Sequence, residues 1–104
     1  MNKTDNLYNV LRGLENNMSK LRNESRCLDY EIMKIFDKRI YAERMGKRIQ
    51  DEEMHYDCRC IEMANDIIAK NERNIRFQHD LHAKLLSTYN ELYSADLRHI
   101  LGLS

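Results

Sequence analysis

Residues 7–49 read LYNVLRGLENNMSKLRNESRCLDYEIMKIFDKRIYAERMGKRI, and apolar side chains return along them at alternating steps of four and three. The series is Leu7, Leu11, Leu14, Met18, Leu21, Ser25, Leu28, Ile32, Ile35, Arg39, Ala42, Gly46 and Ile49, with only Ser25, Arg39 and Gly46 breaking its apolar character. A mean spacing of about 3.5 residues keeps one stripe of a helix facing a partner helix over many turns. Beside that stripe lie Tyr30, Met33, Phe36, Ile40 and Tyr41. They widen the apolar face enough to touch more than one helix, which favours a bundle over a two-stranded coil.

The rest of the composition agrees with an all-α chain. Its 104 residues contain no proline and no tryptophan, only three glycines, and 33% charged side chains. Proline interrupts helices most strongly, and a strand-and-turn protein of this length would need more proline and glycine than this. The length fits a single helical domain spanning 1–104. No run of about 18 apolar residues is present to span a bilayer, and the opening Met-Asn-Lys-Thr-Asp lacks the apolar core of a signal peptide. The expectation is a cytoplasmic, intracellular protein with no membrane partner. Cys27, Cys58 and Cys60 are odd in number, and Cys58 and Cys60 point in different directions on a helix, so reduced thiols are expected.

Local signals set the boundaries. Thr4 reads as an N-cap with Asp5 in the first turn, where a carboxylate meets the positive end of the helix dipole. Nothing then stops a helix over about 4–48, a length of nearly 70 Å at 1.5 Å per residue. A turn is expected near Gly46–Glu53, where basic Lys47 and Arg48 sit at a helix C-terminus and acidic Asp51, Glu52 and Glu53 start the next element. The second half carries the series Met54, Cys58, Ile61, Asn65, Ile68, Glu72, Ile75, His79, His82, Leu86, Tyr89, Tyr93, Leu97 and Ile100. Its middle is polar, and residues 70–74, Lys-Asn-Glu-Arg-Asn, include two poor helix formers. The reading is one kinked helix, or two shorter ones over about 52–70 and 75–101, stopped by Gly102.

Charge is unevenly spread. Residues 1–50 hold eleven Lys and Arg against seven Asp and Glu, whereas residues 51–104 hold six against ten, so the halves carry +4 and −4. Such halves attract when packed side by side, and flanking charge commonly selects the partner in helical pairs. A lone hairpin of slender helices buries little of its surface. An antiparallel helical bundle formed by a homodimer, with four or six helices, is therefore expected.

Candidate chemistry is sparse. His55 with Cys58 and His79 with His82 each sit three residues apart, so each pair shares a helix face and is fit to hold part of a zinc site. Cys60 points elsewhere and the spacing matches no finger or ribbon, so solvated histidines and a core cysteine are the plainer reading and no metal is expected. Glu52 and His55 form a single Glu-x-x-His pair, half of what a di-iron bundle needs. Lys38, Arg39, Arg44, Lys47 and Arg48 form a basic run, but Asp37 and Glu43 interrupt it and no aromatic platform or zinc module accompanies it, so nucleic acid is not the expected partner. No phosphate loop, nucleophile elbow or dinucleotide fingerprint appears, and no cofactor is expected.

Leu21-Arg22, Leu28-Asp29, Glu31-Ile32, Ile35 and Arg39 resemble the first helix of the small all-helical chorismate mutases. The resemblance implies a long helix followed by two shorter ones, an intertwined dimer, and an arginine-lined anion site in which Arg22 and Arg39 grip carboxylates, with Lys47 and Arg59 as further candidates. Catalysis would then be electrostatic, with fixed cations stabilising charge that develops as an ether bond breaks. The likeness covers about 20 residues. The family's lysine falls on Gln50, with Lys47 three residues away, and Ser94 is followed by Arg98 where the family prefers Gln or Glu.

Without a convergent catalytic set, the function expected from the residues is non-enzymatic. The chain reads as a helical oligomerising protein that binds itself and another protein, as an adaptor or as a small inhibitor of a larger complex. The expected interaction seam is Leu7, Leu11, Leu14, Met18, Leu21, Leu28, Ile32, Ile35, Ile61, Ile68, Leu86 and Tyr89.

Overall fold

The computed structural model describes residues 3–102. Two long helices, α1 (Lys3–Arg44) and α2 (Asp51–Leu101), pack against each other as an all-α antiparallel hairpin. The described residues gather into two compact units. One is drawn from the chain up to Lys20 and from Asn74 onward, the other is Leu21–Arg73.

Helix α1 ends four residues before the expected boundary, and Gly46 is the reason. Its φ of +66° lies in the left-handed region, the Lys47 amide donates to the Ala42 carbonyl at 2.8 Å, and the Gly46 amide donates to the Glu43 carbonyl at 3.1 Å. This pair of reversed bonds satisfies two carbonyls that the helix end leaves without amides, and it points the chain back on itself. Lys47 and Arg48 therefore belong to the turn, while Arg44 occupies the last helical turn. Helix α2 opens with Asp51, Glu52 and Glu53 against the positive dipole end, as their charge dictates, and the Met54 amide donates to the Gln50 carbonyl at 3.0 Å. At the far end Gly102, with φ +71°, receives the stop.

Two expectations are corrected. Thr4 is not a cap: it lies within α1, and its hydroxyl donates to Asp96 Oδ2 at 2.8 Å. The separate helices over 52–70 and 75–101 are one uninterrupted helix, because the polar middle that suggested a break meets polar partners across the pair. Asn71 is 4% exposed, and its Nδ2 donates to Glu24 Oε1 at 3.0 Å and Ser25 Oγ at 3.2 Å. A poor helix former costs a few tenths of a kcal/mol, whereas these bonds and the neighbouring turns of helix more than offset it.

Burial follows the heptad in α1 without exception. Every residue of α1 that escapes full exposure is Thr4, Leu7, Leu11, Leu14, Met18, Leu21, Ser25, Leu28, Ile32, Ile35, Arg39 or Ala42. In α2 the shielded line is Asp57, Ile61, Ala64, Ile68, Asn71, Ile75, Gln78, His82, Leu85, Tyr89 and Leu92, joined by Cys60 and Ala69. Leu86 is thus displaced from the seam; Leu85 holds the half-buried place, and Leu86 is 39% exposed. Among the described residues the only buried apolar side chains are Leu11, Met18, Ala42 and Ala64.

Substituting Gly46 by Ala forces a side chain into the left-handed region with no steric clash to confuse the result, since nothing lies within 4 Å of the added carbon. The expected cost is about 1–2 kcal/mol, read as a lower thermal midpoint by circular dichroism. An unchanged midpoint would show that the turn does not need this backbone geometry.

Candidate interaction surface

Polar residues interrupt the apolar line of unit Leu21–Arg73 at two levels, and each interruption is matched from the other helix. Asp57 is 3% exposed and faces Lys38, whose Nζ stands 2.8 Å from Asp57 Oδ2 and 3.0 Å from Glu53 Oε1. Asp57 Oδ2 is buried, and the Lys38 ammonium is its ion-pair partner. Asp57 first and Glu53 second hold the Lys38 ammonium above the ordinary lysine pKa. Arg39, the cation on the seam, takes no carboxylate. Its Nη2 donates to the Met54 carbonyl at 3.2 Å and to Cys58 Sγ at 3.4 Å, and its Nε is buried without a hydrogen-bond partner among the described residues. The second level is Asn71 with Glu24 and Ser25, described above.

Unit Met1–Lys20 with Asn74–Ser104 repeats the device at its own seam. His82 Nε2 lies 3.1 Å from Glu15 Oε1, and Asn17 Nδ2 donates to Gln78 Oε1 at 3.0 Å. The rings of Tyr8 and Tyr89 approach at 6.3 Å between centroids, and Tyr89 stacks on Tyr93 at 6.0 Å.

The pairing leaves many large apolar side chains uncovered. Tyr30 and Met33 are each 60% exposed, Tyr56 is 68% and Met63 is 61% exposed, and Phe36, Ile40 and Tyr41 are also exposed. The second stripe expected on α1 is therefore left uncovered by α2. Along unit Leu21–Arg73 an open groove of about 410 Å³ runs between the helices, floored by Leu28, Ile32, Ile35 and Ala64 and walled by Tyr56, Cys60, Met63 and Ile67. Glu31 and Asp57 also line it. Lysines cover part of the aromatic surface: Lys34 Nζ sits 4.7 Å from the Tyr30 ring centre and Lys47 Nζ 5.5 Å from that of Tyr41.

The remaining sequence candidates fall as follows. Arg22 is exposed, Arg39 is spent on the helix backbone and a thiol, Lys47 lies over Tyr41, and Arg59 lines a separate hollow with Glu52, His55, Tyr56, Cys60 and Met63. Arg22 and Arg39 are 17 residues apart on one continuous helix, roughly 25 Å at the helical rise. The unbroken α2 departs from the two shorter helices that the mutase resemblance implies. His55 and Cys58 belong to one unit and His79 and His82 to the other, and among the described residues no three His, Cys, Asp or Glu side chains are grouped to hold a metal ion. No described helix is long and apolar enough to cross a membrane. No family model, curated protein or solved structure matches the chain.

Sequence reasoning missed Asp57 and Asn71, the two most deeply buried polar residues. Their signal was the seven-residue recurrence Asp57, Ala64, Asn71, Gln78, Leu85, Leu92, visible only once polar residues are allowed on a seam.

Two substitutions test these levels. Asn71→Asp removes the amide donor and sets a carboxylate against Glu24, with an expected loss of about 2 kcal/mol in urea unfolding, whereas Asn71→Leu, which suits the apolar neighbours, is expected to cost less or to stabilise. Little or no loss in the nearly isosteric Asn71→Asp would show that the amide donor does not matter and that Asn71 contributes through its size.

Lys38→Met is expected to cost about 1–3 kcal/mol, because the lysine is 45% exposed but its loss leaves the buried Asp57 carboxylate without a cation. A lysine whose folded pKa is raised stabilises fully below its unfolded value and loses that contribution as pH rises through the folded one. The stability gap between wild type and Lys38→Met should hold from about pH 7 to 9 and close above about 10.5. A gap that persists beyond that pH would assign the effect to packing of the lysine stem.

Proposed function

We propose that the chain is a non-enzymatic, self-associating helical protein that acts by binding other proteins through its helix faces. The observation that carries the reading is the exposed apolar surface. Large apolar patches on a soluble monomer are uncommon and mark association sites, and here Tyr30, Met33, Tyr56 and Met63 are all more than half exposed. Tyrosine and methionine suit such a role, since tyrosine offers a large contact with one polar tip and methionine adapts to irregular partners.

Interior packing supports the same reading. No large side chain among the described residues is fully buried, and folding of one copy leaves many large apolar side chains exposed. At about 25 cal/mol per Å², each large side chain moved out of water by a partner contributes roughly 1.5–3 kcal/mol. Self-association comes first in this account, and an adaptor or inhibitor role follows where the surface engages a different chain. Of the cations offered by the mutase resemblance, Arg39 is committed to a backbone carbonyl and a thiol.

Sedimentation equilibrium at micromolar concentration tests the reading. A species of twice the 12.5 kDa chain mass, or a higher multiple, is expected. A clean monomer at that concentration would remove self-association from the account.

A further inference from the structure

We infer that a second copy of this chain docks antiparallel on the flank of α2 that walls the groove, between Glu52 and Arg73, with the two-fold axis passing between Glu62 and Met63. The inference rests on the self-association proposed above and specifies its surface. Tyr56, Cys60, Met63 and Ile67 recur at steps of four, three and four, which is the spacing of a helix-pairing stripe. Cys60 is half-buried, and the other three remain exposed after α1 has packed on its own side of α2. Helix α2 thus carries two adjacent stripes, one satisfied within the chain and one not.

Charge selects the occupant. Beside the apolar stripe stand Glu52, Arg59, Asp66 and Arg73, spaced by seven residues and alternating in sign. Seven residues make two turns, so the four stay on nearly one line with a drift of only about 20° per step. All four are exposed, and among the described residues none makes an ion pair within the chain.

The alternation is self-complementary in one orientation only. Glu52 and Arg73 are equidistant from the midpoint between Glu62 and Met63, and so are Arg59 and Asp66. Reversing a second copy about that point sets each Glu52 against an Arg73 and each Arg59 against an Asp66, giving four opposite-charge pairs. A parallel two-fold copy would carry the two charge lines to opposite sides of the interface, where they do not meet. The same reversal lays the Cys60, Met63 and Ile67 strip of one copy across that of the other. A two-fold interface requires this kind of patch, because each residue must accept its own reflection.

Charge exchange tests the arrangement in the full-length chain. Arg59→Glu alone and Asp66→Lys alone each place like charges together twice per dimer and are expected to weaken dimerisation about tenfold or more at low salt. The double variant restores opposite pairs and should recover most of the affinity, although within one chain the two residues are about 10 Å apart along the helix. In a parallel readout, Met63→Cys with the three native cysteines changed to serine should link to its own copy with a short bis-maleimide. Dimers that ignore both single charge changes and fail to link at position 63 would overturn this face and leave self-association standing. A monomeric wild-type chain would overturn both.

Discussion

A pair of helices shares one line of contact, and every large apolar side chain off that line remains in water. That constraint governs this protein. Each helix offers a stripe about two residues wide per heptad, enough to bury Leu11, Met18, Ala42 and Ala64 but no large side chain completely. A small domain already recovers only a modest share of its surface on folding, and a two-helix pairing recovers less. The consequences are a seam tuned by polar matches rather than bulk, and an outer surface rich in tyrosine and methionine.

The polar matches explain how two sparse stripes find one register. An apolar seam of leucine and isoleucine can slide by a heptad at little cost, whereas Asn71 finds Ser25 and Glu24, and Asp57 finds Lys38, in one alignment alone. Burying such groups contributes little net stability, since desolvation consumes most of the gain. Misplacing them is costly, because an unpaired buried carboxylate or amide loses its water without replacement. Specificity is therefore purchased by residues that do not add much to cohesion.

How much was legible follows from the same division. The seam of α1 could be read almost residue by residue because its positions are nearly all apolar, with Arg39 and Ser25 as the exceptions. In α2 only one of the two heptad positions was recovered, Ile61, Ile68, Ile75, His82 and Tyr89. The other lay one residue earlier than read, at Asp57, Ala64, Asn71, Gln78, Leu85 and Leu92 instead of Cys58, Asn65, Glu72, His79, Leu86 and Tyr93. At Asp57 hydropathy points to the neighbouring Cys58, and the fold uses the carboxylate because Lys38 waits across the pair. Gly46 was recognised as a turn residue, but that its left-handed geometry would end the helix at Arg44 depended on hydrogen bonds that no spacing reveals. Arg39 drew attention as a cation on a seam, and the carboxylate went to adjacent Lys38 instead. The candidate surface was visible as excess apolar residues, while its partner was not, since exposure depends on what α1 and α2 leave uncovered.

The central claim is that this fold completes its core by association. If so, unfolding is coupled to dissociation, and the thermal midpoint depends on protein concentration by mass action. Melting followed by circular dichroism from about 1 to 100 µM is the most direct measurement. The account predicts a midpoint that climbs steadily with concentration; the same midpoint at both ends of the range would contradict it.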